Sequence, residues 1–159
     1  MAAPKKAFVT SPIGVLQLEA TENALVAIRF KESKQADAEN TVSTNPVIDE
    51  TVAQIDAYFQ GQLTTFDLPL DLRGTEFQQS VWQALCKIPY GQTISYLQLA
   101  NRLGDPKKVR AVGSANGKNP IPVIIPCHRV VGADGTLVGY SGGISRKKAL
   151  LRHEDAILL

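Results

Sequence analysis

Residues 124–131 read Ile-Ile-Pro-Cys-His-Arg-Val-Val, and the rest of the chain is organised around this stretch. Cys127, His128 and Arg129 stand in succession between β-branched residues. Because buried strands seldom carry charge, three polar residues in a strand-like run indicate a chemical task. An imidazole can take the proton of a neighbouring thiol and leave a thiolate, the nucleophilic form of cysteine. A buried cysteine beside a surface histidine is the alternative interpretation.

The composition is that of a soluble globular protein. A chain of 159 residues, 44% of them hydrophobic and 20% charged, can form one ordinary domain or two small ones. No apolar run approaches the roughly 20 residues that span a bilayer, and the N-terminus lacks the apolar core of a signal peptide. The cysteines, Cys86 and Cys127, form neither a disulfide framework nor a metal-ligand pattern. We therefore expect a cytoplasmic protein without a cofactor or a metal.

The charge differs between the two halves of the chain. Residues 1–75 contain 6 Lys and Arg against 10 Asp and Glu, whereas residues 76–159 contain 11 against 5. A basic second half predicts a polyanionic partner, and nucleic acid is the obvious candidate. A solvated helical surface would produce the same excess, so charge alone leaves both interpretations open.

The first half predicts an antiparallel sheet followed by a helix. Residues 7–10, 14–20 and 24–30 are rich in β-branched residues and are separated by turn residues, a pattern typical of a three-stranded meander. Residues 31–44 are polar and predict a surface loop. Asn45-Pro46 is a capping residue followed by proline at the first helical position, so a helix should begin there and end near Gly61. Nothing in this half indicates chemistry.

The second half becomes helical at a capping box. Thr75 and Gln78 stand three residues apart before an apolar stripe, and this pattern opens a helix predicted to continue to Ile88. Cys86 lies at the edge of that stripe and is interpreted as a structural thiol.

A helix-turn-helix is predicted next. Ser95 and Gln98 form a second capping box that opens a helix over residues 96–103. Gly104-Asp105-Pro106 supplies a stop, a cap and a first helical position, and a second helix follows over residues 107–116. We therefore predict an α+β fold. A small N-terminal antiparallel sheet with a helix forms a support domain over residues 1–72. A mainly helical domain that contains the helix-turn-helix spans residues 73–159.

The second of these helices is unusually small in its side chains. It consists mostly of Ala, Gly, Ser and Val, with Arg110 in the middle. Helices that read the major groove project long polar side chains, so this composition favours minor-groove docking, with Arg110 inserted into the base stack. Tight packing against a neighbouring helix is the alternative explanation.

These features together resemble the O6-alkylguanine-DNA alkyltransferase family. The resemblance rests on Pro126-Cys127-His128-Arg129-Val130, preceded by the helix-turn-helix and followed by Tyr140-Ser141-Gly142-Gly143 and Leu151-Arg152-His153-Glu154. It is dense from about residue 75 to residue 155. It implies a methylated-DNA–[protein]-cysteine S-methyltransferase that flips O6-alkylguanine out of double-stranded DNA. On this resemblance the alkyl group would pass irreversibly to the protein's own cysteine, and each molecule would act once.

The resemblance also assigns roles to residues. Cys127 would accept the alkyl group, His128 would deprotonate it through water, and Glu154 would polarise that histidine. Asn119 would brace the active-site turn against the recognition helix. Tyr96 would contact the flipped base and the rotated phosphate, and it is a candidate proton donor to the leaving guanine.

Further residues are implied in the pocket and on the DNA. Tyr140 and Ser141 would line the guanine pocket, and the backbone carbonyls of Val130 and Cys127 would read the exocyclic amine. The residues expected to contact DNA lie along the helix-turn-helix: Ser95, Lys107, Lys108, Arg110, Ala111, Gly113 and Ser114. Some family members bind zinc near the N-terminus, but no cysteine or histidine precedes residue 86 here, so no metal is expected.

Two alternatives of other classes remain at this stage. A protein that binds alkyl lesions without transferring the group would share the DNA-binding residues. A cysteine hydrolase could use Cys127, His128 and Glu154, although no sequence feature marks an oxyanion hole. A serine hydrolase built on Gly139-Tyr140-Ser141-Gly142-Gly143 is disfavoured by the short chain. We expect a monomer in solution, and the sequence leaves open the preferred alkyl group, activity on O4-alkylthymine and cooperation along DNA.

Overall fold

The computed structural model describes residues 4–31 and 45–156, and the chain divides into two compact units, Met1–Arg73 and Gly74–Leu159. Within the described residues, no helix combines the length and the apolar character needed to cross a membrane.

The first unit contains the expected antiparallel meander. Strands β1 (Lys5–Ser11), β2 (Gly14–Ala20) and β3 (Leu25–Lys31) pair in chain order, with Val9 opposite Leu16 and Leu18 opposite Ile28. The predicted surface loop after β3 lies outside the described residues, except for Lys31, which ends the strand.

Helix α1 (Pro46–Phe59) packs against this sheet. The Asn45 side chain caps it by accepting a hydrogen bond from the backbone N–H of Ile48 at 3.0 Å, as the Asn-Pro pair predicts. Ile48, Ile55 and Tyr58 are buried on its inner face. The helix stops before Gly61, whose φ of +77° is a left-handed conformation that favours glycine.

The second unit begins with α2 (Glu76–Leu85), which opens with the predicted Thr75–Gln78 capping box. The helix ends three residues before the predicted Ile88. The backbone N–H groups of Lys87 and Ile88 instead bond to carbonyls three residues back, because a residue preceding a proline, here Pro89, disfavours the α conformation. Cys86 is a free cysteine exposed at this end of the helix.

The helix-turn-helix is present. Helix α3 (Tyr96–Arg102) opens with the Ser95–Gln98 capping box, and Gly104, with φ of +92°, reverses the chain. The second helix is not continuous from residue 107 as predicted. A 3₁₀ turn, Pro106–Lys108, comes first because Asp105 caps the nearby N–H of Lys107, and α4 (Val109–Gly117) follows.

The core of this unit lies between the three helices. Val81 of α2, Leu99 of α3 and Val112 of α4 are fully buried. Trp82 Nε1 donates a hydrogen bond to the backbone carbonyl of Ala115 at 2.8 Å, which ties α2 to α4.

The cysteine motif forms a turn, although its β-branched neighbours give it a strand-like composition. Cys127–Arg129 form a 3₁₀ turn in which the N–H of Arg129 donates to the Pro126 carbonyl at 3.0 Å. Only Val130–Val131 are extended, as the short strand β5, which pairs in parallel with β4 (Ile94–Ser95). The turn is followed at a distance by the last helix, α5 (Ile144–His153).

Candidate active site

Cys127 is held by a braced turn. It is 3% exposed, at the start of the 3₁₀ turn. Asn119 spans the preceding loop, donating from Nδ2 to the Ile125 carbonyl at 2.7 Å and accepting from the Ile121 N–H at 3.0 Å. The loop also forces Val123 to a φ of +76°, a strained conformation for a β-branched residue. Asn119 therefore fixes the path of the chain from α4 to the thiol.

His128 and Glu154 form a buried pair. His128 Nε2 lies 2.8 Å from Glu154 Oε2, and both side chains are 0% exposed. Since an ionised carboxylate only accepts hydrogen bonds, Nε2 carries the proton in this pair. Burial lowers the pKa of His128, Glu154 opposes that shift, and the Arg129 and Lys147 cations reinforce it. The ring is therefore neutral near pH 7, and its other nitrogen, Nδ1, is a base with no hydrogen-bond partner in the described part of the chain.

Arg129 is a contributor that the sequence reasoning missed. Its Nε and Nη2 donate to the two carboxylate oxygens of Glu154 at 2.8 and 3.0 Å, and its Nη1 donates to the Ile88 carbonyl at 2.6 Å. The guanidinium also lies 5.8 Å from the centre of the Tyr90 ring. Its place inside an apolar run was the available signal, because a buried arginine needs a buried anion.

Lys147 is the second missed residue. Its side chain is fully buried, and Nζ donates to the backbone carbonyls of Val130 at 2.6 Å and Val138 at 2.8 Å. Burial lowers its pKa to about 8, and the Cys127 charge opposes that shift. A sequence signal existed here too. Lys147 shares one face of α5 with Leu150 and Leu151, and Glu154, the residue after the helix, continues the same spacing.

The thiol itself is protonated at rest. Burial raises the pKa of Cys127 to about 11, while a hydrogen bond from Asn119 and the charge of Lys147 pull it down. A base must therefore remove the proton before Cys127 can act as a nucleophile.

Two tyrosines lie close to the thiol. Tyr96 is half-buried, and its hydroxyl donates to the Val138 carbonyl at 3.1 Å. Burial and then the Cys127 charge raise the Tyr96 pKa, and a hydrogen bond from the Asn116 side chain opposes this. Burial and the Cys127 charge likewise raise the pKa of Tyr140. The predicted pocket residue Ser141, in contrast, is exposed.

The residues predicted to contact DNA fall largely on one exposed surface. Those with exposed side chains recur at helical spacing along the second helix of the motif: Lys107, Lys108, Arg110, Ala111 and Ser114. Lys108 Nζ lies 5.4 Å from the centre of the Phe77 ring.

Two members of the predicted set do not lie on that surface. The Ser95 hydroxyl is used as the cap of α3, where it accepts from the Gln98 N–H at 3.1 Å. Gly113 faces Tyr96 across the two helices, since a Cβ at that position would lie 3.8 Å from the tyrosine ring.

No cluster of three or more His, Cys, Asp or Glu side chains suitable for a metal occurs in residues 4–31 and 45–156. The polar groups around Cys127 are instead those of acid–base and nucleophilic chemistry: an imidazole, a carboxylate, two cations and two phenols.

Comparisons with known proteins agree with this arrangement. Residues 5–72 match the ribonuclease-like domain of 6-O-methylguanine DNA methyltransferase, and residues 76–156 match the DNA binding domain of the same family. The methylated-DNA–protein-cysteine methyltransferase of Mycobacterium tuberculosis is 50% identical over 149 residues, which cover 93% of this chain and 90% of that protein. The protein of the same name from Methanosarcina acetivorans is 45% identical over 152 residues, covering 94% and 97%.

A solved structure is similar over almost the whole chain. The crystal structure of Mycobacterium tuberculosis OGT in complex with DNA has a TM-score of 0.84 and 47% sequence identity, and the match covers 95% of this chain and 92% of that one. The α+β fold, the helix-turn-helix and the buried Cys127 define the class as a DNA-binding protein built around a cysteine. With both domain models matched, the chain belongs to the 6-O-methylguanine DNA methyltransferase family.

Proposed function

We propose that this protein repairs O6-alkylguanine in double-stranded DNA by transferring the alkyl group irreversibly to its own Cys127. The observation that carries the proposal is the buried thiol next to a neutral histidine whose other nitrogen is bonded to a buried carboxylate. The names of the relatives, and the DNA complex of the 47% identical structure, support the same activity.

The first step is removal of the thiol proton. Neutral His128 takes the proton of Cys127 through a water molecule, and Glu154 stabilises the imidazolium that forms. Lys147 and Asn119 stabilise the thiolate, because both lower the pKa of the thiol. The Asn119 brace keeps the sulfur in position during this step.

The second step is a displacement at the alkyl carbon. The thiolate forms the sulfur–carbon bond while the bond between that carbon and O6 breaks, and its electron pair leaves with guanine. Tyr96 donates a proton to the leaving base after its hydroxyl gives up the bond to Val138. The product is a thioether, which water does not hydrolyse under ordinary conditions, so each protein molecule acts once.

The target base occupies a pocket beside the thiol. Tyr140 and Ser141 line it, and the carbonyls of Cys127 and Val130 accept from the exocyclic amine. The Val130 carbonyl can do so while bonded to Lys147, because a carbonyl oxygen has two lone pairs.

The exposed surface of the second helix docks in the minor groove. The small side chains of α4 allow a close approach, Lys107 and Lys108 contact phosphates, and Arg110 fills the gap left by the flipped base. Flipping costs a few kcal/mol, which these contacts offset. We infer that a monomer acts on DNA in a reducing, cytoplasmic setting. Residues 1–72, which hold none of the proposed site residues, serve as a support domain.

The test is the intact mass of the protein after incubation with a duplex oligonucleotide that holds one O6-methylguanine. We expect a gain of one methyl group per protein, located at Cys127 by peptide mapping and absent in Cys127→Ala. Cys86→Ala is the matched control and should gain the group normally, because Cys86 is exposed at the end of α2.

Two other results would favour the alternatives. Tight binding of the lesion duplex with an unchanged mass would indicate a lesion-binding protein. Multiple turnover on an ester, without modification of Cys127, would indicate a cysteine hydrolase.

A further inference from the structure

We propose that Arg129 is a positioning residue for the histidine: it holds the Glu154 carboxylate so that His128 stays a neutral imidazole, protonated on Nε2 and basic on Nδ1. The inference rests on the proposed function, since it concerns His128 as the general base of the same alkyl transfer. Arg129 acts through Glu154, to which its side chain donates two hydrogen bonds.

The geometry fixes the carboxylate in one orientation. The fork of Arg129 bonds to both oxygens of Glu154, at 2.8 and 3.0 Å, which is the two-point geometry that a guanidinium matches and an ammonium does not. The third bond, from Nη1 to the Ile88 carbonyl at 2.6 Å, prevents the guanidinium from rotating. Glu154 Oε2 is thereby presented to His128 Nε2 at 2.8 Å.

The charge balance keeps the proton off the ring. Glu154 and Arg129 together are neutral, so protonation of His128 would place an unpaired positive charge at a fully buried site. Among the described residues, Glu154 is the anion that acts on the pKa of His128, and Asp155, whose charge acts on Tyr90, is exposed to solvent. Lys147 from α5 is a cation, Cys127 is a thiol, and the Tyr90 hydroxyl donates to the His153 carbonyl.

Without Arg129, the balance reverses. Glu154 would be a buried anion with His128 as its nearest partner, and a proton on the imidazole would neutralise it. The histidine would then be occupied by a proton at the pH where the proposed mechanism needs it as a base. Arg129 therefore acts on the protonation state of His128 in addition to stabilising the fold.

The experiment is a titration of the His128 ring by ¹⁵N nuclear magnetic resonance on the full-length, DNA-free protein. The signal is assigned with a His128→Gln variant, and His153 is the other histidine in the spectrum. In the unsubstituted protein we expect a neutral ring protonated on Nε2 at pH 7. In Arg129→Met the protonation midpoint should rise by at least about one pH unit, a tenfold change in proton affinity.

Two further variants separate charge from structure. Arg129→Lys keeps the charge and loses the fork, so its midpoint should lie between those of the unsubstituted protein and Arg129→Met. Arg129→Met combined with Glu154→Gln removes both charges and should return the ring to the neutral form.

The proposal is overturned by a protonated His128 at pH 7 in the unsubstituted protein, or by an unchanged midpoint in Arg129→Met. If Arg129→Met does not fold, an Arg129→Lys midpoint equal to that of the unsubstituted protein overturns it. Because the titration involves no DNA and no transfer, these results are independent of whether Cys127 accepts an alkyl group.

Discussion

At the scale of single residues, the site is distinguished by a buried lysine whose hydrogen bonds, within the described part of the chain, go to backbone carbonyls. Lys147 also lies close enough to Cys127 for each to shift the pKa of the other. The Cys127 thiolate formed during transfer would therefore be stabilised by the positive charge of Lys147, although the two residues are 20 positions apart in the sequence.

Replacing this lysine should slow the reaction. We expect Lys147→Met to reduce the single-turnover rate on an O6-methylguanine duplex about tenfold at pH 7, since losing about one pKa unit of thiolate stabilisation costs about 1.4 kcal/mol. Rapid-quench measurement of the methylated protein gives this rate. Lys147→Arg retains the charge and should be less affected; a rate for Lys147→Met within twofold of the unsubstituted protein would contradict the assignment.

Tyr96 should matter for departure of the base. Loss of a general acid typically costs about 10² to 10⁴ in rate, so we expect Tyr96→Phe to lose at least about a hundredfold in the transfer step. Tyr90→Phe is the matched control, because the Tyr90 hydroxyl donates to the His153 carbonyl instead. Measuring duplex affinity in parallel distinguishes slow chemistry from weak binding, and equal rates for the two variants would exclude Tyr96 as the acid.

Some residues of the site could be predicted from the sequence and others could not, and the difference has a physical reason. Cys127 and His128 are adjacent, and their chemistry follows from their types. The roles of Arg129 and Lys147 depend on contacts with groups that are distant in the sequence and become neighbours only in the folded protein. The carboxylate of Glu154 is 25 positions from Arg129, and the carbonyl of Val130 is 17 positions from Lys147. Composition and spacing do not report such contacts.

At the scale of elements, local signals were reliable and long-range ones were not. The capping boxes at Thr75 and Ser95 formed as predicted, because each joins groups three residues apart. The strand-like run around Cys127 is a turn in the structure. Its β-branched neighbours favour extended backbone, but the turn bonds at Pro126 and the Asn119 brace determine the conformation.

The brace can be tested by removing its side chain. Asn119→Ala leaves the N–H of Ile121 without its partner and removes one of the two hydrogen bonds to the Ile125 carbonyl, which still accepts from the N–H of Cys127. We therefore expect a loss of about 2 kcal/mol in the free energy of unfolding. Urea unfolding measures this loss. Asn101→Ala, at an exposed position of α3, should change stability by less than about 0.5 kcal/mol. Equal stabilities for the two variants would show that the brace is dispensable.

The exposed surface of α4 makes a separate prediction about DNA. Arg110→Ala should reduce the transfer rate about tenfold or more on a duplex but little on a single strand, where no base gap needs filling. Single-turnover rates on matched duplex and single-stranded oligonucleotides measure this difference. Arg29→Ala removes one charge from an exposed residue of β3 and serves as the control. An equal loss on both substrates would indicate a general electrostatic contact in place of insertion.

At the scale of the whole molecule, the sequence predicted the α+β fold because each half has its own periodicity. The strand predicted over residues 14–20 is confirmed as β2. The helix predicted to open at the Thr75 capping box is confirmed as α2, although it ends at Leu85 and not at Ile88. The excess of basic residues after residue 75 places them in the unit that holds the buried site. The core that stabilises this unit therefore also contains the proposed site. Protonation of a buried group of the site should change the free energy of unfolding of the unit.

Because of this linkage, the protonation of His128 should contribute to the pH dependence of the free energy of unfolding. Burial lowers the His128 pKa below its ordinary 6.5, so below about pH 6.5 the unfolded chain binds a proton that the folded protein does not. Stability contributed by the neutral ring is therefore present above pH 6.5 and is lost as the pH falls, with a slope of up to about 1.4 kcal/mol per pH unit.

Trp82 is the single tryptophan and is buried in the Gly74–Leu159 unit, so its fluorescence reports unfolding of that unit in urea. Between pH 6.5 and 5, the free energy of unfolding should fall more steeply in the unsubstituted protein than in His128→Gln. His153→Gln should keep the steep slope. Carboxylates without contact to His128 contribute equally to all three proteins, so the difference in slope reports the His128–Glu154 pair. Identical slopes would mean that His128 binds its proton equally well in the folded and the unfolded protein, and they would contradict the lowered pKa of the buried ring.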